Sequence, residues 1–283
     1  GDDLNLWGRK IFGYEFIQAF RYVAGRFNVN TNVQRDPLDR VDTSFINKFK
    51  KKEDRYELTP IPKTLLNSFY QLYHKSWIDD GISVATMKKF DILFSIKDNK
   101  IVIPHFNIDG ELLGIRGRAL NQEEIDAGRK YMPMFHKGEV RKHPTGANIY
   151  GLNVTKEKII KNKTIILFES EKSPQQLDTM WPEMSIGGAI SGSNLTNEQV
   201  RIIRDMGVEN VVIGMDKEFE EAGTEEELFY KKKIMSGFVY KLLPYFRVQI
   251  LWDSFGILDL KDSPTDKGIE IFKFLWQNRI TIK

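Results

Sequence analysis

Apolar residues recur at helical spacing through residues 3–27, where Leu4, Leu6, Trp7, Ile11, Phe12, Phe16, Ile17, Phe20 and Val23 mark one face, with a break near Gly13. A polar stretch rich in Asn and Lys follows to about Thr59. Its cluster of Lys48, Lys50, Lys51, Lys52 and Arg55 reads as a solvated linker. Pro60 and Pro62 suit a helix entry, so residues 63–77 are predicted helical, and Ser83 is a candidate cap for a short helix ending near Phe90. The period then changes. Residues 101–106 and 112–116 read as strands around Asn107-Ile108-Asp109-Gly110, a hairpin signal. Residues 119–148, rich in Gly, Pro, Lys and His, read mostly as loop.

From residue 154 helix and strand alternate. Short buried-type strands are expected at 164–169, 184–187, 210–215 and 247–252. Helices are expected at 173–180, at 195–206 with Asn194 as cap and Gly207 as stop, at 224–243 and at 266–277. Such alternation predicts an α/β fold, a mostly parallel sheet covered by helices on both faces, preceded by a smaller α+β part. The expected divisions are 1–59 (N-terminal helical segment and linker), 60–153 (the α+β part) and 154–283 (the parallel-sheet part).

The length of 283 residues allows one large domain or two modest ones, and 41% hydrophobic with 29% charged residues is an ordinary globular balance. No apolar run approaches the ~20 residues of a membrane span, so no membrane association is expected, and the lack of cysteine fits a cytoplasmic compartment. The start, Gly1-Asp2-Asp3-Leu4, lacks both an initiator Met and a secretory signal and reads as an internal cut from a longer protein. With no cysteine, disulfides, thiolate-held zinc and Cys nucleophiles are excluded; the four histidines show no ligand spacing. A metal here would be oxygen-ligated, which points to Mg²⁺ or Mn²⁺. The net charge of +3 decides nothing by itself.

In parallel sheets functional groups collect past the carboxyl ends of strands, near a reversal of strand order. Two predicted strands end in acids, one at Glu169 and one at Asp216-Lys217-Glu218. If the strand continues past Met215, Asp216 and Glu218 share a side, and with Glu169 three carboxylates would converge. Their mutual repulsion would call for a divalent cation. Acids after strands are also commonly solvated loop residues, and the spacing leaves both readings open.

Leu167-Phe168-Glu169-Ser170-Glu171-Lys172, then Ser185-Ile186-Gly187-Gly188 and Leu195-Thr196, then Gly214-Met215-Asp216-Lys217-Glu218 resemble the Toprim domain of primases, topoisomerases and small nucleases. Upstream, Gly81-Ile82-Ser83, Ile103-Pro104-His105-Phe106, Arg116-Gly117-Arg118, Lys130-Tyr131, Phe135-His136-Lys137-Gly138 and Tyr150-Gly151-Leu152 resemble the segment before Toprim in DnaG-type primases, in a phage or prophage style. Asp259, Lys261, Asp262 and Pro264 resemble that family's Asp/Pro loop. The resemblance covers residues 60–280 and implies a primase core that makes short RNA on single-stranded DNA from ribonucleoside triphosphates. It implies catalytic Glu169, Asp216 and Glu218, with Asp259 and Asp262 as further metal ligands, and a replicative helicase as partner. It also implies a zinc domain upstream of this chain, since residues 3–27 resemble the helices that follow one. Ser170 and Ser173 depart from the family's Gly and Asp, which puts the number of metals in doubt. A Toprim nuclease and a non-catalytic primase-like binding module stay open as alternatives.

The basic residues Arg116, Arg118, Lys130, His136, Lys137, Arg141 and Lys142 are interleaved with Tyr131 and Phe135. Taken alone this patch reads first as a solvated face. With the resemblance, Arg116, Arg118, Lys130, Tyr131 and Lys137 become candidates for template or nucleotide contact. Lys172 would offset the acids or touch a triphosphate, and an ordinary surface role stands beside these readings.

Overall fold

The computed structural model describes residues 58–282. The expected helices of residues 3–27 and the linker after them lie outside the described residues. The described chain begins with a 3₁₀ turn, Lys63–Ser68, followed by α1 (Lys75–Asp79), α2 (Val84–Lys89), β1 (Leu93–Ser95), β2 (Lys100–Phe106) and β3 (Leu112–Ala119). Then come α3 (Gln122–Asp126), β4 (Tyr131–Pro133), β5 (Phe135–His136), β6 (Glu139–Val140) and α4 (Leu152–Asn162). The second half runs β7 (Thr164–Phe168), α5 (Lys172–Met180), β8 (Gly187–Ala189), α6 (Asn197–Asp205), β9 (Asn210–Gly214) and α7 (Glu225–Ile234). After the π turn Met235–Val239 it closes with α8 (Tyr240–Leu242), β10 (Arg247–Ile250), α9 (Gly268–Gln277) and β11 (Ile280–Thr281).

Three sheets result. Strands β1-β2-β3-β4 form an antiparallel sheet, with the predicted hairpin at its centre; β5 and β6 form a separate small ladder; and the five strands β7 to β11 build a sheet in the order β11-β10-β9-β7-β8. The last sheet is parallel except for its edge strand β11, and the fold is α/β as expected. Ile165 through Phe168 and Val211 through Ile213 have no exposed surface, because helices cover both faces of the sheet. Gly187 and Gly214 leave room for the Phe168 ring, which a Cβ at those positions would meet at 2.8 and 3.1 Å.

Several expectations shift. Residues 63–77 hold a 3₁₀ turn and a separate short helix instead of one helix, and the loop expected over 119–148 carries α3 and three strands. Thr196, not Asn194, caps α6: its hydroxyl accepts from Gln199 N while Gln199 returns a bond to Thr196 N, a capping box. The helix expected over 224–243 is interrupted by the π turn. Among the described residues no helix is long and apolar enough to cross a membrane.

Candidate active site

The strand order fixes the site. From β7 the chain moves to β8 on one side, then returns to the other side for β9, so the order reverses between β7 and β9. Phe168 at the end of β7 registers with Gly214 at the end of β9. The next residues outward bring Glu169 and Asp216 to the same cleft, of about 900 Å³, where crevices at strand-order reversals lie.

Asp216 is the more perturbed acid. Burial first, and then the charge of Glu169, push its carboxyl up to about 7, and its Oδ1 is buried without a hydrogen-bond partner. Burial also raises Glu169, against the attraction of Lys233. Two buried carboxylates, of which Glu169 raises Asp216 while the charge of Glu218 raises Glu169, with a buried lone pair unused, fit a hard cation. Among the described residues no group of three or more acid or imidazole side chains is gathered as a preformed metal cage. Glu218 lines a neighbouring groove, and its oxygens accept from Lys233 at 2.7 Å and Lys261 at 3.2 Å. Those two ammonium groups overcome the effect of burial and hold its carboxyl below its usual range. Asp259 is exposed and ion-paired with Lys267. Asp262 lines the cleft but accepts from Asp259 N at 2.9 Å and pairs with Lys267 at 3.3 Å.

The acid that sequence reasoning missed is Asp266. It lines the cleft and accepts from Lys172 Nζ at 2.7 Å and Gln176 Nε2 at 2.9 Å. Lys172 also reaches Asp80 at 3.6 Å, so its ion pairs go to Asp266 and Asp80 and not to the three acids of the motif. The loop bearing Asp259, Asp262 and Asp266 is fastened twice. Lys217 exchanges backbone bonds with it, to Asp262 O at 2.9 Å and from Lys261 N at 2.7 Å. On α5, Ser173 Oγ meets Ser263 Oγ at 2.9 Å and Gln176 accepts from Thr265 at 2.7 Å. Ser173, a departure from the expected Asp, is therefore a fully buried link in that fastening.

The four-stranded sheet supplies the opposite wall. Arg116 and Arg118 share a face of β3, and with Lys130 they surround the Tyr131 ring at 5.8, 5.8 and 6.0 Å. Arg116, Lys130 and Tyr131 line the cleft; Lys137 does not, and sits in a separate cleft beside β5. Arg116 is held by Glu171, a second residue the sequence reading passed over. Glu171 is 1% exposed, and its Oε1 accepts from Arg116 Nη1 at 2.5 Å and Ser191 Oγ at 2.9 Å, with His105 Nε2 3.2 Å away. Burial alone would raise this carboxyl; contact with the His105 ring and the Arg116 guanidinium hold it down at about 2. The sequence signal was Glu-x-Glu at 169–171, but the partners come from β2 and β3, far along the chain.

No family model matches the chain. It is 38% identical over 291 residues to the SPbeta prophage-derived uncharacterized protein YorJ of Bacillus subtilis (strain 168), covering 97% of this chain and 76% of that protein. Among solved structures it resembles the Aquifex aeolicus primase (zinc-binding and RNA polymerase domains), with a TM-score of 0.59 and 16% identity over 98% of this chain and 70% of that one. It also resembles the RNA polymerase domain of Mycobacterium tuberculosis primase DnaG in complex with a double-stranded DNA oligomer with a 6-nucleotide overhang, at 0.56 and 13% over 78% and 82%. A DnaG primase catalytic domain bound to single-stranded DNA gives 0.54 and 14%, over 77% of each chain.

Proposed function

Because the chain belongs to the family of the prophage-derived protein YorJ and has the fold of the DnaG primase catalytic core, we propose that it is a primase. Its activity would be metal-dependent synthesis of short RNA on a single-stranded DNA template from ribonucleoside triphosphates. The observation that carries the reading is one cleft with the acid pair Glu169 and Asp216 on one wall and the Arg116–Lys130–Tyr131 wall opposite. In this reading residues 154–283 are the Toprim catalytic part and residues 60–153 hold the template.

Glu169 and Asp216 would hold Mg²⁺ or Mn²⁺, the remaining positions falling to water or triphosphate oxygens, as hard cations prefer. When bound, such a cation screens charge on the phosphates and favours attack by a 3′-hydroxyl. The chain's own part is placement. Arg116, Arg118 and Lys130 neutralise phosphates, and Tyr131, flanked by those cations, orients a nucleotide. Lys172, pinned between Asp266 and Asp80, keeps the far side of the cleft from repelling a triphosphate. A replicative helicase is the proposed partner, and the host cytoplasm the proposed compartment.

Incorporation of labelled ribonucleotides on single-stranded DNA, with and without an annealed RNA primer, tests the reading. Extension that requires Mg²⁺ or Mn²⁺ supports it. Cleavage of the DNA would indicate a nuclease, and DNA binding with neither reaction a non-catalytic module. Arg116→Ala, Arg118→Ala and Lys130→Ala should each weaken template or nucleotide binding and lower its logarithmic salt slope by roughly one per lost phosphate contact. Unchanged slopes in all three return these residues to ordinary surface charge.

A further inference from the structure

Helix α7 turns Glu227, Tyr230 and Ile234 inward, where they are buried. The opposite face of a helix resting on a core is ordinarily polar. Here it carries two large apolar side chains. Leu228 is 53% and Phe229 71% exposed, and both line a groove of about 750 Å³ together with Leu260, itself 45% exposed. Single exposed apolar residues need no explanation, but three gathered in one groove do. Neither Glu169 nor Asp216 lines this groove.

The charges of α7 divide by use. Glu227 accepts from Gly223 N and Lys231 Nζ, both at 2.8 Å, and from Trp252 Nε1 at 3.2 Å; Lys233 donates to Glu218 at 2.7 Å. Glu225, Glu226 and Lys232 form no ion pair with any described residue, and all three line the groove. The helix dipole accounts for acids in the first turn and lysines in the last. It does not account for the exposed apolar pair between them.

Positions three and four apart share a helix face, so Glu225, Leu228, Phe229 and Lys232 form one row. The row is symmetric. From the midpoint between Leu228 and Phe229, Glu225 and Lys232 stand equally far along the axis in opposite directions, about 5 Å at 1.5 Å per residue. Such a row complements itself when reversed. Two copies laid antiparallel bring the apolar pairs together at the centre and set Glu225 of each level with Lys232 of the other. Laid parallel, they would oppose like charges at both ends.

We infer that this face of α7 is a dimerisation surface whose occupant is a second copy of the same chain, helix against antiparallel helix about a two-fold axis between Leu228 and Phe229. A patch that meets its own copy is the isologous, two-fold kind of interface. The apolar centre supplies the burial, and the charge pairs at the rim set the orientation. A helix of 10 residues gives a contact at the small end of interface sizes, below about 1,200 Å², so the association is reversible and depends on concentration. The inference goes beyond the polymerase reading and does not depend on it.

Sedimentation equilibrium on the full chain tests it, at low salt and without metal, nucleotide or template. The parent chain should pass from monomer to dimer between concentrations on the order of 10 and 500 µM. Phe229→Asp should weaken association at least about tenfold, since each dimer loses the ring twice. Glu225→Lys and Lys232→Glu should each weaken self-association at least about tenfold, because each sets like charges across the axis. Mixed in equal amounts, these two charge variants should associate with one another about as tightly as the parent with itself, every facing pair then being of opposite sign. That rescue also shows that both variants are folded. A parent chain that stays monomeric throughout, as a face reserved for a different protein would leave it, overturns the inference. So does a mixture of the two charge variants that associates no better than either alone, or a Phe229→Asp variant that dimerises like the parent.

Discussion

Asp216→Asn is expected to lower ribonucleotide incorporation on the order of a thousandfold while leaving the protein at least as stable as before. The two effects have one cause. Burial and the charge of Glu169 raise the Asp216 carboxyl to about 7, so the folded chain resists ionising a group that ionises freely when unfolded. The sign follows from linkage. A folded-state value above the unfolded one means that stability is lost as pH climbs from the unfolded value toward 7, and stays lost above it. Asn carries no such charge. In a chelator at pH 8 the variant should melt about 2–4 °C higher, equivalent to about 1 kcal/mol, a discounted figure because the cleft admits water. The gain should shrink at pH 5, where the folded carboxyl is protonated. A lower melting temperature at pH 8, with unchanged incorporation, would show that Asp216 is a structural acid and that the cleft was misread.

The second large effect is expected at Glu171. Its carboxylate gathers Arg116 from β3 and Ser191 from the loop after β8, with the His105 ring of β2 against it. Removing it by Glu171→Ala leaves a guanidinium that is 15% exposed without its charge partner, and the cost of breaking such a pair is about 3–5 kcal/mol. Glu171→Gln preserves shape and one acceptor, and should cost less. Both variants remove the charge that pairs Arg116 and leave it its bond to Tyr131 O at 3.1 Å, so the KM for nucleotide should rise in the Gln variant while the metal requirement stays as in the parent chain. Urea unfolding measures the first consequence and steady-state incorporation the second. Equal stability of the Ala variant and the parent would mean that Arg116 finds another partner, and the account of Glu171 as its anchor would fail.

How much of this was legible before the fold differs from element to element. Strands β7 and β9 are continuous apolar runs followed by acids, so the strands and the place of those acids just past their ends were readable from the sequence. That they lie side by side was not, since the order of a parallel sheet is decided by helix packing. Strands β4, β5 and β6 are two or three residues long, too short for any period to show. Thr196-x-x-Gln199 was a readable capping box that Asn194 obscured. Glu218 matched its motif, but Lys233 and Lys261 reach it from α7 and from a loop more than forty residues on, which spacing cannot reveal. For the same reason Asp266 and Glu171 stood unremarked: each is defined by partners from other elements.

The reversal of strand order also governs when the cleft comes into being. Glu169 is made early, and β7 can pair with β8 through a local crossover. Asp216 arrives only when β9 docks against the other edge of β7, and the Asp262–Asp266 loop only after β10 has followed it. Contacts of such long sequence separation form late, because closing the intervening loops costs chain entropy before any contact rewards it. A partly folded chain thus carries isolated acids and no cation-binding pair. Metal affinity should appear in a single step when β9 docks on β7, so Mn²⁺ binding during refolding would report that event and not the earlier pairing of β7 with β8.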